Sequence, residues 1–272
     1  MSNHESNDQP IRITNVIKHL ESIAPLAYQE SYDNAGLLTG NSGWQCTGIV
    51  CSLDSTETVI LEAKAKGCNL VVAHHPIVFR GLKRLNGASY VERTVMQAIR
   101  RNVALYAIHT NLDNVHRQGV NAKIAEKIGL VNHRILAPKA GTDGSVGAGL
   151  LGELPAPLPE ADFLKHVKQV LRAGVVRHTA LRGRPVGTVA VCGGSGSFLL
   201  PEALKAGADA FVTADFKYHE FFDAEGRLVI ADVGHFESEQ FTIELLYDIV
   251  REKFPNFALH CTEVNTNPVF YL

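Results

Sequence analysis

Two stretches of this chain resemble each other, and the repeat limits the folds open to it. Residues 50–75 (VCSLDSTETVILEAKAKGCNLVVAHH) match residues 191–215 (VCGGSGSFLLPEALKAGADAFVTAD). The next segments also match, since 104–113 (ALYAIHTNLD) and 228–239 (LVIADVGHFESE) each end with a histidine followed four residues later by a carboxylate. Chance similarity is an alternative, because all strand–helix–strand units share an apolar pattern. The matched ligand-type residues at the strand ends favour an internal duplication.

Strand-like and helix-like segments alternate along the chain. Apolar runs indicate strands at 47–53, 69–75 and 103–110. Helical spacing of apolar residues is present at 11–26, 55–67, 92–102 and 119–130. Strands joined through helices of this length pair in parallel. We therefore predict an α/β fold of two related domains, each with a mainly parallel sheet flanked by helices in three layers.

A segment rich in glycine and proline, 141–160, is the best candidate for a change of domain or a long surface connection. We expect residues 1–10 to be a disordered leader, because they are polar. The first predicted domain comprises 11–131 plus 236–272, with a C-terminal helix that returns to it. The second comprises 132–235.

The composition of the 272 residues is that of an ordinary globular protein, with 20% charged and 46% apolar residues. A formal charge of −2 gives no reason to expect a nucleic-acid or membrane partner. No apolar run approaches the ~18 residues that cross a bilayer. The five cysteines form no CxxC pair and are odd in number, which favours reduced thiols and a cytoplasmic location.

Histidines and carboxylates gather at the predicted strand ends, beginning with the adjacent pair in VVAHHPIVF (71–79). Ligands bind where the carboxyl ends of parallel strands meet, so we expect these side chains to converge. Any one of these histidines alone would more often be structural. Together they suit divalent zinc, manganese or iron, and their number suits two ions better than one. The candidates are His74, His75, His109, Asp113, Asp215 and His235.

Glu239 and the glycine turn each allow a second interpretation. An acid in the first turn of a helix complements the helix dipole, which explains Glu239 without a metal. The turn with Gly193, Gly194 and Gly196 could cradle a phosphate on its N–H groups, or it could serve only close packing.

Arg80 could meet an anionic substrate or belong to a solvated basic loop. No GxSxG elbow is present, and no cysteine has an evident histidine partner, so a nucleophile supplied by the chain is disfavoured.

The chain resembles the NIF-three-like dinuclear-metal-centre proteins, which are also named GTP cyclohydrolase 1 type 2 homologues. The resemblance runs from about residue 13 to the last residue. It rests on SYDNAGLLTG (31–40), AHHPIVF (73–79), HTNLD (109–113), CGGSGSF (192–198), TADFKYHE (213–220) and GHFESE (234–239). It implies a two-domain α/β subunit that assembles into a toroidal homohexamer, with two divalent ions per subunit.

The resemblance also implies roles for individual residues. The implied metal ligands are His74, His75, Asp113, His235 and Glu239, with Glu239 bridging the two ions. His109 is implied beside them as a further ligand or a proton-handling group. Ala214 stands where relatives commonly carry glycine, which affects the loop near Asp215 and His219.

Two functions are open as hypotheses. The first is a metal-dependent hydrolase of a small phosphorylated or nucleotide-like substrate, of which GTP cyclohydrolase action is the variant that the family's name suggests. The second is a metal-binding regulatory hexamer that recruits partners without turnover. Open positions at the metal site would favour the enzyme, and a closed site the scaffold.

Overall fold

The computed structural model describes residues 10–272, so most of the predicted disordered leader lies outside the described residues. The strands are β1 (Gly36–Thr39), β2 (Ile49–Ser52), β3 (Leu70–Ala73), β4 (Ala104–Ala107), β5 (Val131–Pro138), β6 (Gly147–Leu158), β7 (Arg177–His178), β8 (Val186–Ser195), β9 (Ala210–Ala214), β10 (Val229–Asp232) and β11 (Leu259–Cys261). The helices are α1 (Ile13–Ile23), α2 (Glu57–Ala65), α3 (Tyr90–Arg101), α4 (Thr110–Asp113), α5 (Val120–Ile128), α6 (Glu160–Val170), α7 (Leu200–Lys205), α8 (His235–Glu239) and α9 (Thr242–Lys253). Short 3₁₀ turns cover Leu26–Tyr28, Ser197–Leu199 and Tyr218–Ala224.

The strands form two sheets. The first has the order β1-β4-β3-β2-β11, and only its β1–β4 pairing is antiparallel. The second has the order β5-β6-β8-β9-β10-β7, in which β8, β9 and β10 pair in parallel and the other three pairings are antiparallel. The α/β fold class is confirmed, with the difference that the second sheet is mixed.

Helices cover both faces of each sheet, as the three-layer prediction requires. One apolar cluster joins α1, α5, α6 and α9 to strands of both sheets. Because side chains alternate along a strand, the opposite faces build separate clusters. Val50 and Val71 pack with α2 and α3 outside the first sheet. Ala190 and Phe211 pack with α7 outside the second sheet.

Local sequence signals set the helix ends. The Thr56 and Ser89 side chains accept hydrogen bonds from the first turns of α2 and α3, which satisfies N–H groups that have no partner within the helix. Gly129 ends α5 with φ +83°, a conformation that glycine adopts without a steric penalty. These boundaries lie within a few residues of the predicted ones.

The segment 141–160 differs from the prediction. Most of it is not a connection, because Gly147–Leu158 forms β6, which pairs with β5 on one side and β8 on the other. Gly147 needs φ +158°, and a Cβ there would lie 2.2 Å from the Ala137 carbonyl oxygen, so glycine permits close strand pairing at this point. Three of the five glycines that suggested a linker therefore belong to a strand. The domain boundaries themselves stay a prediction.

The predicted repeat is present in the topology. β2-α2-β3 followed by β4 corresponds to β8-α7-β9 followed by β10, and each set of three strands is adjacent and parallel. Short helices then begin just beyond the third strand of each set, α4 after β4 and α8 after β10. All five cysteines are free thiols. No helix within residues 10–272 is long and apolar enough to cross a membrane.

Candidate metal centre

The histidines of the repeat meet where strands of the two sheets end. His74 and His75 follow β3 directly, and their N–H groups continue the pairing with the β2 side by donating to the carbonyls of Ser52 and Leu53. The two rings nevertheless lie together, with centroids 4.9 Å apart, and His235 approaches from α8 with its centroid 5.3 Å from that of His75. The predicted convergence is therefore present.

Each of the four histidines is fixed by a hydrogen bond from its outer ring nitrogen. This arrangement selects the ring orientation and directs the other nitrogen, Nε2, towards the centre. The Nδ1 contacts are His74 to the Ile108 carbonyl at 2.9 Å, His75 to Asp54 at 2.8 Å, His109 to Asp33 at 2.7 Å and His235 to Asp215 at 2.7 Å. Three histidines thus form the carboxylate–histidine pairs that commonly support metal ligands.

Glu239 lies at the middle of these nitrogen atoms. Its Oε2 is 2.9 Å from His75 Nε2 and 3.1 Å from His235 Nε2. Its Oε1 faces the other way and is 3.8 Å from His74 Nε2. The Asp113 Oδ1 atom approaches the same His74 nitrogen at 3.5 Å. The two oxygens of Glu239 therefore face different groups of ligands.

Two polar atoms at this point are buried without a hydrogen-bond partner, His74 Nε2 and Asp113 Oδ1. A buried polar group left unpaired costs about 1–3 kcal/mol, so an arrangement that holds two such atoms side by side needs another explanation. A cation held between a lone pair of imidazole and a carboxylate oxygen satisfies both atoms. These residues fit a divalent metal.

Three groups of side chains could hold an ion, and within each group the ligand atoms all lie within 4.8 Å of one another. They are His74, Asp113 and Glu239; His75, His235 and Glu239; and His74, His75 and His109. The first two share only Glu239.

The raised pKa values of two histidines indicate that the cluster favours positive charge. Burial opposes protonation of His75, but its hydrogen bonds to Asp54 and Glu239 raise its pKa to about 10. Burial also opposes protonation of His235, while the charge of Glu239 and the bond to Asp215 raise its pKa to about 11. Metal ions compete with protons for such nitrogens, so the centre is suited to cations.

The carboxylates are perturbed in opposite directions. Burial would raise the pKa of Glu239, but the charge of His235 and the histidine hydrogen bonds hold it well below its usual range. Burial and the nearby charge of Glu239 raise the pKa of Asp113 to about 7. Asp33 is buried too, yet hydrogen bonds from His109 and Thr110 lower its pKa to about 2. Asp33 therefore stays ionised beside His109.

The glycine turn packs against Glu239, and this differs from the phosphate-cradle hypothesis. The N–H groups of Gly193 and Gly194 already donate to Asn121 Oδ1 and Ser238 Oγ, both at 2.9 Å. A Cβ on Gly194, which has φ +62°, would lie 2.5 Å from Glu239 Oε1. Close packing, the alternative interpretation, accounts for these glycines.

The third glycine of the turn is also closely packed, since a Cβ on Gly196 would lie 2.2 Å from Thr213 Oγ1. Two other predicted residues lie apart from the cluster. Arg80 is exposed. His219 is exposed as well, and its ring packs beside Tyr218 and Phe222 rather than among the converging groups.

Sequence reasoning missed two carboxylates, Asp33 and Asp54. Asp54 lies two residues beyond β2, at the same edge as the histidines, so the strand-end rule that selected His74 would also have found it. Asp33 precedes β1, which runs antiparallel to β4 with Gly36 beside Ala107. The start of an antiparallel strand lies at the edge where its neighbours end, and only knowledge of the pairing reveals that.

Cavities open on two sides of the cluster. One of about 420 Å³ is lined by His75, His235, Asp54 and residues near the end of the chain. Another of about 610 Å³ is lined by His109, Asp113, Glu239 and His235, with the exposed Tyr32 and Phe198 beside them. His235 borders both cavities.

Comparison with known proteins gives one consistent family. The model of Duf34/NIF3 (NGG1p interacting factor 3) matches residues 11–268. A Clostridium perfringens protein named GTP cyclohydrolase 1 type 2 homolog is 32% identical over 244 residues, 89% of this chain and 92% of that protein. Among solved structures, a Bacillus cereus protein related to NIF3 superposes with a TM-score of 0.91 at 24% identity, covering 97% of this chain and 100% of that one. The Staphylococcus aureus hypothetical protein SA1388 superposes with the same TM-score at 28% identity and the same coverage.

Proposed function

The chain belongs to the Duf34/NIF3 family, and we propose that it is a metal-dependent hydrolase whose centre holds two divalent ions. One observation carries the proposal: two buried ligand atoms have no hydrogen-bond partner, and the carboxylate beside them, Glu239, lines an open cavity. Zinc, manganese and iron suit imidazole and carboxylate ligands of this kind.

The two ligand groups that share Glu239 support the assignment of one ion to each. His74 and Asp113 would hold the first ion, and His75 and His235 the second. Glu239 would bridge them, because its two oxygens face the two groups separately. A carboxylate can bind two cations through two oxygens, whereas a neutral imidazole offers one lone pair.

When bound, a pair of divalent ions supplies an acidified water and stabilises negative charge that develops on the substrate. The side chains around the ions would orient the substrate and exchange protons with it. His109 lines the larger cavity, and Asp33 accepts its Nδ1–H, so Nε2 is the atom able to exchange a proton with a substrate there. Asp33 remains ionised and stabilises the charged imidazole when it forms.

The cavities favour turnover over a purely regulatory role. In a regulatory scaffold, the metal ligands would be expected to be closed off from solvent. The two cavities here have volumes of about 420 and 610 Å³ and are lined by ligand side chains. Such volumes fit small molecules. A small phosphorylated or nucleotide-like substrate would present anionic oxygens to the two ions. Hydrolysis of GTP rests only on the name that the relatives carry.

The test begins with protein purified without added metal. Elemental analysis should give close to two equivalents of divalent metal per chain, and a panel of phosphoesters and nucleotides should reveal hydrolysis that stops on chelation and returns with metal. A His109→Asn variant should keep both ions and lose turnover. A protein that holds two ions yet hydrolyses no member of the panel would favour the regulatory alternative.

We further propose that the chain assembles into a closed homo-oligomer, with six copies as the resemblance implies. Tyr218 and Phe222 are 73% and 63% exposed and form an aromatic patch, which supports association between chains. Light scattering should give a multiple of the 29.6 kDa chain mass, and a mass near 29.6 kDa at micromolar concentration would contradict the proposal.

A further inference from the structure

The segment after β11, residues 262–272, contains neither helix nor strand, yet it runs past the metal centre. Its first residue is anchored on the first sheet, where the Thr262 N–H donates to the Cys51 carbonyl at 2.9 Å and the Thr262 hydroxyl donates to Glu62. Further along, Asn267 Nδ2 donates to Glu237 of α8 at 3.3 Å. The 262–272 segment therefore connects the first sheet to α8, the helix that carries His235 and Glu239.

Between these anchors, one side chain reaches the histidine support. The Thr266 hydroxyl donates to Asp54 Oδ2 at 2.5 Å. The other oxygen of that carboxylate, Oδ1, accepts the Nδ1–H of His75 at 2.8 Å. The Nε2 atom of His75 then faces Glu239. Thr266 is thus the outermost member of a continuous hydrogen-bonded row that ends in the centre.

The end of the 262–272 segment also forms a wall of the smaller cavity. Val269 and Tyr271 line it together with His75 and His235. The Tyr271 ring is held against Gly174, where a Cβ would lie 2.7 Å from the ring. The path of the segment is therefore defined on both sides of Thr266.

From this geometry we propose that Thr266 is a positioning residue for the ion between His75 and His235, acting through Asp54. The proposal rests on the metal centre of the proposed function. The Asp54 side chain is 33% exposed, so water competes for its oxygens. A hydroxyl that occupies Oδ2 holds the carboxylate in one rotation, which leaves Oδ1 directed at His75. The ring then presents Nε2 without a further loss of conformational freedom when the ion binds.

The consequence is selective. The row touches His75 but not His74 or Asp113, so loss of the Thr266 hydroxyl should weaken one ion of the pair and leave the other. Outer partners of metal ligands change affinity by about 10–100-fold, and Thr266 acts one bond further out, so we expect a change near the lower end, about tenfold.

The test compares three variants of the full chain by metal binding alone. Metal-stripped protein is titrated with Zn²⁺ against a chelating dye, and with Co²⁺ while its absorption spectrum is recorded. Thr266→Val should weaken one of two Zn²⁺ equivalents about tenfold and alter the Co²⁺ spectrum, and Thr266→Ser should restore both. Thr262→Val is the matched control, because it removes a threonine–carboxylate bond from the same segment at a point that does not reach a histidine.

Other outcomes separate the modes of failure. Wild-type protein that binds two ions together with an unchanged Thr266→Val variant would overturn the positioning role and leave the proposed function intact. Equal weakening by Thr262→Val and Thr266→Val would show that Thr266 only anchors the segment, which also overturns the role. Wild-type protein that takes up no ion would overturn both proposals.

Discussion

The two repeated units contribute unequally to one centre. The first unit supplies four of the converging residues, from the end of β3 and from the segment after β4 that ends with α4: His74, His75, His109 and Asp113. The second supplies only His235 and Glu239, from α8 after β10. The same topology therefore serves different purposes in the two halves.

The difference lies in the two residues at the end of the middle strand of each unit. Where the first unit has His74 and His75, the second has Ala214 and Asp215. Asp215 accepts from His235 Nδ1 and so supports a ligand of its own unit. Burial differs too, because the His74 side chain is fully buried whereas that of His235 is 41% exposed. The first unit therefore contributes the buried side of the cluster, and the second contributes a carboxylate shared by two ligand groups and a more accessible histidine.

The largest effect on metal content is expected from removal of Glu239, the one ligand that both ions would share. Glu239→Gln removes a charge and replaces one oxygen with an N–H donor that cannot bind a cation. We expect metal content to fall well below one equivalent by elemental analysis, with a folded circular-dichroism spectrum. Glu237→Gln on the same helix, which keeps an acceptor for Asn267, should retain two. Two ions in Glu239→Gln would make the bridging assignment wrong.

Removing a ligand that would serve only one ion should lower the metal content by about half as much. Asp113 approaches His74 but belongs to no ligand group that contains His75 or His235. Asp113→Asn should therefore keep roughly one equivalent of metal, because the second ion retains His75, His235 and Glu239. Elemental analysis distinguishes the outcomes, and loss of both ions would show that the sites do not fill independently.

Much of this centre could be predicted from the sequence, because parallel strands place their ends at one edge regardless of detail. The histidine pair after β3 and the His–x–x–x–acid spacing after β4 and β10 require only the order of elements. The antiparallel additions could not be predicted in the same way. β6 was hidden by its glycine and proline content, and Asp33 depends on the pairing of β1 with β4.

The glycine turn shows a different limit. A strand–glycine–helix pattern is typical of both phosphate cradles and close packing, and the sequence does not say which partners the N–H groups have. Here the partners are Asn121, from α5, and Ser238, from α8, both remote in sequence from Gly193 and Gly194. Only the tertiary structure brings these elements together.

The contact of this turn with Glu239 tests the comparison between the two units, because Gly194 and Glu239 both belong to the second unit and pack against each other. Gly194→Ala adds a Cβ only 2.5 Å from Glu239 Oε1, and should lower metal content by displacing the Glu239 carboxylate. Gly207→Ala is the matched control, because Gly207 has a similar φ of +73° with no atom within 4 Å of the added carbon. Both variants should lose about 1–2 kcal/mol of unfolding free energy from the backbone strain. Only Gly194→Ala should lose metal, and equal metal content in the two would contradict the packing argument.

The smallest expected effect compares the outer carboxylates of the two units, Asp54 behind His75 and Asp215 behind His235. Each replacement by asparagine removes a charge but leaves an oxygen that can accept the Nδ1–H, so each should weaken the same ion, within the range of about 10–100-fold for such partners. A hydroxyl holds each carboxylate, that of Thr266 on Asp54 and that of Ser195 on Asp215. The exposure differs, because Asp54 is 33% exposed whereas Asp215 is 46% exposed, so water replaces Asp215 more readily. Asp54→Asn should therefore cost more affinity than Asp215→Asn in a chelator competition assay. A larger loss from Asp215→Asn would mean that the exposed histidine of the second unit, rather than the buried pocket of the first, limits how tightly this ion is held.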